Sequence, residues 1–217
     1  MRILIFLTSF FLALNSWAAI WISQNSWNDE WEKKYSTWIE NEVGPSYLKD
    51  LKISTDCADA VLALRWIFAR QNSLPMISST ADGKSISNLA SQWDRFETAT
   101  DWKNDRRFLN AIKSIHDATD TKTLFRDLYS VKLSPKFLTP GALYVNATET
   151  SGHAEWIAKT FFDGLHSPIV FYSSTVPQQV REFLVYPFMK VKWPKKNANG
   201  FMKFRWAVVT NKGVQLT

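Results

Sequence analysis

Apolar positions follow three different patterns along the chain. The first is the continuous run at residues 3–14, broken only by Thr8 and Ser9, with Arg2 before it and Asn15-Ser16-Trp17-Ala18 after it. A positive start, a short apolar stretch and small residues at the −3 and −1 positions make the grammar of a secretory signal peptide cut after Ala18. The run is shorter than a comfortable bilayer span. It predicts an exported chain, periplasmic or secreted, in which residues 1–18 are removed and 19–217 form a single domain.

The second pattern has helical period. Trp27, Trp31, Tyr35, Trp38 and Ile39 recur at i, i+4 spacing, with Ser26 and Asp29 as a capping pair and Gly44-Pro45 as a stop, which predicts a helix over 27–42. A second helix is expected from Thr55 or Asp56 to about Gln71. Ala58, Val61, Leu62, Leu64, Trp66, Ile67 and Phe68 make it apolar on nearly every face, so it belongs in the middle of a domain. Residues 72–84 read as loop. Residues 85–96, 102–117 and 121–130 read as amphipathic helices.

After Ser134 the pattern changes to β-branched and aromatic runs at residues 143–145, 154–162, 169–172, 185–193 and 201–209. Asp163-Gly164 and Asn199-Gly200 supply hairpin turns between some of them. Helices first and an antiparallel sheet afterwards predict an α+β fold.

Composition adds a partner class. The formal charge is +6, and losing Arg2 leaves about +5. In an exported protein this balance points to an anionic envelope polymer, such as cell-wall glycan, or to lipid headgroups rather than nucleic acid, with no stable membrane insertion once the signal is cut. Lys190, Lys192, Lys195, Lys196, Lys203 and Arg205 interleave with Trp193, Phe201, Phe204 and Trp206. This fits a wet basic sheet face, or a stacking surface for such a polymer. No histidine pair has metal spacing, and neither a Gly-rich phosphate loop nor a Gly-x-Ser-x-Gly elbow occurs, so no metal or cofactor is expected.

The single cysteine, Cys57, excludes an internal disulfide and falls in the first turn of the central helix. Unsatisfied amides and the helix dipole favour a thiolate there. The bland alternative is a small buried hydrophobe, and Asp56 and Asp59 oppose a negative sulfur. A thiol nucleophile needs a base. His116 is expected to face solvent and His166 to sit in an exposed connection, whereas His153 opens an apolar strand that can hold an imidazole rigidly.

Two segments carry a resemblance. Thr55-Asp56-Cys57-Ala58-Asp59-Ala60, opening a long apolar helix, resembles the nucleophile segment of papain-like cysteine hydrolases. Leu138-Thr139-Pro140-Gly141-Ala142-Leu143-Tyr144-Val145, followed after a polar loop by Ser151-Gly152-His153-Ala154-Glu155-Trp156-Ile157, is similar to the corresponding strand-loop-strand of the NlpC/P60 and CHAP branches. The resemblance implies a papain-like domain with Cys57 as nucleophile, His153 as base and peptide or amide bonds of bacterial cell walls as substrate. It departs from the branches at Ala142, where an acidic residue is usual, and in the long Cys57-to-His153 span, which holds extra helices. The third residue, which orients the imidazole, should fall near Phe171-Tyr172-Ser173-Ser174, where Ser173 is the candidate. Transglutaminase-like hydrolases are a close enzyme alternative, faintly resembled at Leu64-Arg65-Trp66 and Leu74-Pro75. A non-catalytic envelope-binding module on the same scaffold is the alternative from another class. The two classes are separated by whether a polar or an apolar side chain meets His153.

Overall fold

The structure, a computed structural model, describes residues 18–147, 151–161, 169–187 and 200–217. The signal segment up to residue 17, His166, the Asp163-Gly164 turn and the lysines at 190–196 lie outside the described residues.

Helix α1 (Asp29–Glu42) is capped by Asn28, whose side chain accepts from the Trp31 amide, so the cap is neither Ser26 nor Asp29. Trp27 therefore precedes the helix, yet its ring stacks on Phe68 and joins the stripe of Tyr35 and Trp38. A short helix α2 (Tyr47–Asp50) follows. Helix α3 (Cys57–Gln71) is buried along nearly its whole length, as its unbroken apolar pattern requires. Its start is fixed by a reciprocal cap. Asp56 accepts from the Ala58 and Asp59 amides, and Asp59 accepts from the Asp56 amide.

The expected helix at 85–96 does not form. Ser85–Ser87 is a strand, β2, that pairs antiparallel with β1 (Ile77–Ser79) inside the expected 72–84 loop. The remaining residues turn, because the Asn88 side chain is spent on the segment before α1, donating to Trp21 O and Ser23 Oγ. The expected helix at 102–117 divides into a single 3-10 turn (Trp102–Asn104) and α4 (Arg106–Ala118), which Asp105 caps. Helix α5 (Thr121–Asp127) then gives way to strand β3 (Leu128–Ser130).

The main sheet is antiparallel throughout and runs β3–β8–β4–β5–β6–β7. Its strands are β4 (Leu143–Ala147), β5 (Gly152–Thr160), β6 (Ile169–Ser173), β7 (Leu184–Pro187) and β8 (Gly200–Phe204). The expected run at 201–209 is broken at Arg205-Trp206, and β9 (Ala207–Thr210) forms a separate hairpin with β10 (Gly213–Leu216). The fold is α+β.

Alternation along the strands gives the sheet two apolar faces. Leu143, Val145, Ala154, Trp156 and Tyr172 join the helices in the main core, while Tyr144, Ile157, Phe171 and Phe201 form a second, smaller cluster. One core cluster reaches from Ile20 to Val214, so the segment before α1 and the β9–β10 hairpin share it. Pro140-Gly141 has a local cause. Gly141 adopts φ +85°, and a Cβ there would sit 2.7 Å from the Tyr35 ring. Its amide donates to Ile157 O at 2.8 Å, which sets the register that β4 and β5 carry to His153.

Candidate active site

Cys57 is the first residue of α3 and is only 3% exposed. Its sulfur meets three neighbours from distant parts of the chain. Cys57 Sγ and Thr121 Oγ1 share a hydrogen bond of 3.6 Å, and the thiol donates weakly to Gly152 O at 4.0 Å. The third is the His153 imidazole, next in sequence to Gly152 and near enough to act on the ionisation of the sulfur. Gly152 is glycine for a steric reason: a Cβ there would lie 2.6 Å from Thr121 Cβ.

His153 is held from its far side. Its Nε2 lies 3.1 Å from Ser173 Oγ and 3.1 Å from Glu155 Oε1. Ser173 has one hydroxyl proton, and it goes to Ser174 O at 2.9 Å. The Ser173 oxygen must then accept, so Nε2 carries the hydrogen, which Glu155 also attracts. The chain continues across the domain, because Ser174 Oγ donates to Thr55 O at 3.1 Å. The sheet bearing the imidazole is thereby tied to the residue two positions before the nucleophile.

The charge states respond to this geometry. Burial pushes the Cys57 thiol up, but the His153 hydrogen bond, those from Thr121 and the Ala154 amide, and the His153 charge together bring it below its ordinary value. Burial pulls His153 down, and its hydrogen bonds and charge interactions with Cys57 and Glu155 outweigh that, raising it to about 9. Asp59 is raised to about 7, by burial first and then by the charges of Asp56 and Asp117 against the hydrogen bond from the Asp56 amide. The nearest acid on α3 is therefore partly neutral near pH 7, and it opposes the sulfur less than an ordinary aspartate.

His116 corrects its expectation. It is buried, not solvent-facing, and burial holds its pKa down at about 4 against a backbone hydrogen bond at Ser54. The structure thus brings Cys57, His153 and Ser173 together and gives His116 no contact with the sulfur. Lys203, from the basic tail, is half-buried and donates to Thr139 Oγ1 at 3.0 Å.

Two residues of the site escaped the sequence. Glu155 stands two positions after His153 on one strand, which puts both side chains on the same face; the His-x-Glu spacing on a strand was the available signal. Thr121 lies 64 residues from Cys57, and nothing local marks it.

No family model, curated protein or solved structure matches this chain. Among the described residues, no group of three His, Cys, Asp or Glu side chains could hold a metal ion, and no helix is long and apolar enough to cross a membrane.

Proposed function

We propose that the chain is a papain-like thiol hydrolase that cleaves a peptide or amide bond, with bacterial cell-wall peptide as substrate and an exported site of action. The observation that carries this reading is that Cys57 Sγ meets the Gly152 carbonyl at 4.0 Å while the next residue, His153, has its Nε2 committed to Ser173 and Glu155. That commitment leaves Nδ1 to serve the sulfur.

In the reaction the Cys57 thiolate attacks the substrate carbonyl carbon, forming a C–S bond. The oxyanion is met by the Cys57 amide, one of the N–H groups that a helix start leaves without an intrahelical acceptor. The C–N bond then breaks as imidazolium Nδ1–H protonates the departing amine. Water attacks the thioester while Nδ1 takes its proton, and release of the carboxylic acid restores the pair. Glu155 and Ser173 act as positioning residues. The lowered thiol and raised imidazole support the same division of charge.

An envelope-binding module has no use for a polar clamp on His153, and the Ser173 and Glu155 contacts weigh against it. A transglutaminase-like enzyme uses the same pair, so the assay includes an amine acceptor. Purified peptidoglycan is incubated with wild type, Cys57→Ala and His153→Ala, with and without hydroxylamine, and the released fragments are read by mass spectrometry. Wild type should release fragments with new amino and carboxyl termini, and each variant should lose at least about 100-fold in rate. Hydroxamate as the dominant product would favour acyl transfer to amines. Equal release by Cys57→Ala would overturn the proposal.

A further inference from the structure

Two threonines stand in the first turn of α5, and their hydroxyls are used differently. Thr123 spends its own on the helix cap, accepting from the Asp120 amide at 3.0 Å and donating to Asp120 O at 2.9 Å. Asp120 in turn accepts from the Lys122 and Thr123 amides, each at 2.8 Å. The Thr121 side chain takes no part in this cap. Its hydroxyl lies 3.6 Å from Cys57 Sγ instead, in a residue only 7% exposed.

The direction of that bond follows from the hydrogens at hand. As a thiol, Cys57 has one hydrogen to give, and Gly152 O at 4.0 Å can only accept it. As a thiolate the sulfur has none, so Gly152 O loses its donor and the Thr121 hydroxyl must donate. A hydrogen bond to an ion is stronger than one to a neutral group, so the hydroxyl gains more from the thiolate than from the thiol. The hydroxyl is also held in place. Thr121 is β-branched, and its Cβ and methyl pack on Gly152, where an added Cβ would lie 2.6 Å and 2.9 Å from them. The glycine admits α5 to the sulfur, and the branch then fixes which way the oxygen points.

We infer that Thr121 is a catalytic residue of the proposed hydrolase, donating its Oγ1–H to the Cys57 sulfur and holding it as the thiolate once His153 has taken the thiol proton. This rests on the hydrolase reading above and extends the site to the helical segment between nucleophile and base. No proton leaves Thr121. The thiol hydrogen passes to Nδ1 of His153, the Oγ1–H bond stays intact, and the hydrogen bond weakens when the C–S bond forms and the sulfur loses its charge. Release of the carboxylic acid restores the thiolate and the bond with it. Burial pushes the Cys57 thiol up, and the hydrogen bonds from His153 and Thr121 lead the causes that bring it down.

The test separates the hydroxyl from the methyl. Thr121→Val keeps the shape without the hydroxyl, Thr121→Ser keeps the hydroxyl without the methyl, and Thr121→Ala keeps neither. Iodoacetamide alkylation of Cys57 is followed against pH by intact-mass spectrometry on the folded full chain. The titratable groups on the elements that meet at the sulfur are the same in all four proteins: His153 and Glu155 on β5, Asp56 and Asp59 at the start of α3, Asp120 and Lys122 at the start of α5. Thr121→Val and Thr121→Ala should move the inflection up by about one pH unit, the effect of losing one hydrogen bond to a charge. Thr121→Ser should stay near wild type. A role in packing alone would give the opposite grouping, with Thr121→Val like wild type and Thr121→Ser like Thr121→Ala, and would overturn the assignment. If the valine variant does not fold, the alanine and serine variants carry the comparison, and a shared inflection overturns it. Fragment release from peptidoglycan is measured on the same proteins. The expected inflections in a wild type that releases no fragment would bring down the hydrolase reading and the catalytic part of Thr121 with it, leaving only its bond to the sulfur.

Discussion

Ser173 accepts a hydrogen bond from His153 Nε2 at 3.1 Å because its own proton is already given to Ser174 O at 2.9 Å. One serine hydroxyl therefore selects the tautomer of the ring, and Glu155 adds the charge. Glu155→Gln should lower the His153 midpoint from about 9 toward its ordinary value, measured by NMR titration of the ring protons. Ser173→Ala should move the midpoint less, since a hydroxyl is neutral. A midpoint unmoved by Glu155→Gln would remove Glu155 from the site.

Alkylation of Cys57 reports the other half of the pair. The rate of iodoacetamide reaction against pH should show its inflection below the free-thiol value of about 8.5, as the lowered thiol requires. His153→Ala removes the two contributions the ring makes to that lowering, so the inflection should move up. A profile indifferent to His153→Ala would describe an isolated thiol.

Gly152 and Thr121 are fitted to one another around the sulfur. Gly152→Ala places a methyl 2.6 Å from Thr121 Cβ, and urea unfolding should show a loss of about 1–3 kcal/mol, the usual cost of overpacking. Thr121→Gly in the same chain opens the space and should restore part of the loss. If Gly152→Ala is neutral, β5 and α5 are looser than their contact indicates.

Asp59 and His116 should pull stability in opposite directions over one pH range. Burial raises Asp59 to about 7, so the fold holds a proton that the unfolded chain has released, and stability falls as pH rises from about 4 to 7. His116 is held down to about 4, so its contribution is complete above about 6.5 and is lost as pH falls toward 4. Asp59→Asn keeps an oxygen for the Asp56 amide and removes only the first effect. Its unfolding free energy should climb relative to wild type by up to about 1.4 kcal/mol per pH unit across that range. Parallel curves would mean that Asp59 stays ionised in the fold.

What the sequence disclosed depends on how local the cause was. Helix α3 was legible because its burial and its cap are both written within fifteen consecutive positions, with Asp56 at the start. His153 was legible as a strand-borne imidazole for the same reason. The failed helix at 85–96 shows the opposite case. Ile86, Leu89, Ala90 and Trp93 have helical spacing, but Ser85–Ser87 finds Ile77–Ser79 as a partner and Asn88 is claimed by Trp21 and Ser23. Tertiary pairing outweighed a weak amphipathic pattern. Glu155 was overlooked because an acid among strand apolars reads as a solvated position. Its role appears only when Ser173 and Cys57 are brought to the same ring.

The bond from Ser174 to Thr55 joins positions 119 residues apart, and this has a bearing on timing. A chain emerging N-terminus first presents the thiol long before the strands that bear His153, Glu155 and Ser173 exist. In that interval the sulfur has no imidazole to draw its proton and no Gly152 or Thr121 packed beside it. The groups that lower its pKa are thus assembled only with β5 and β6, and a chain that stops before them carries a sulfur with the reactivity of an ordinary thiol.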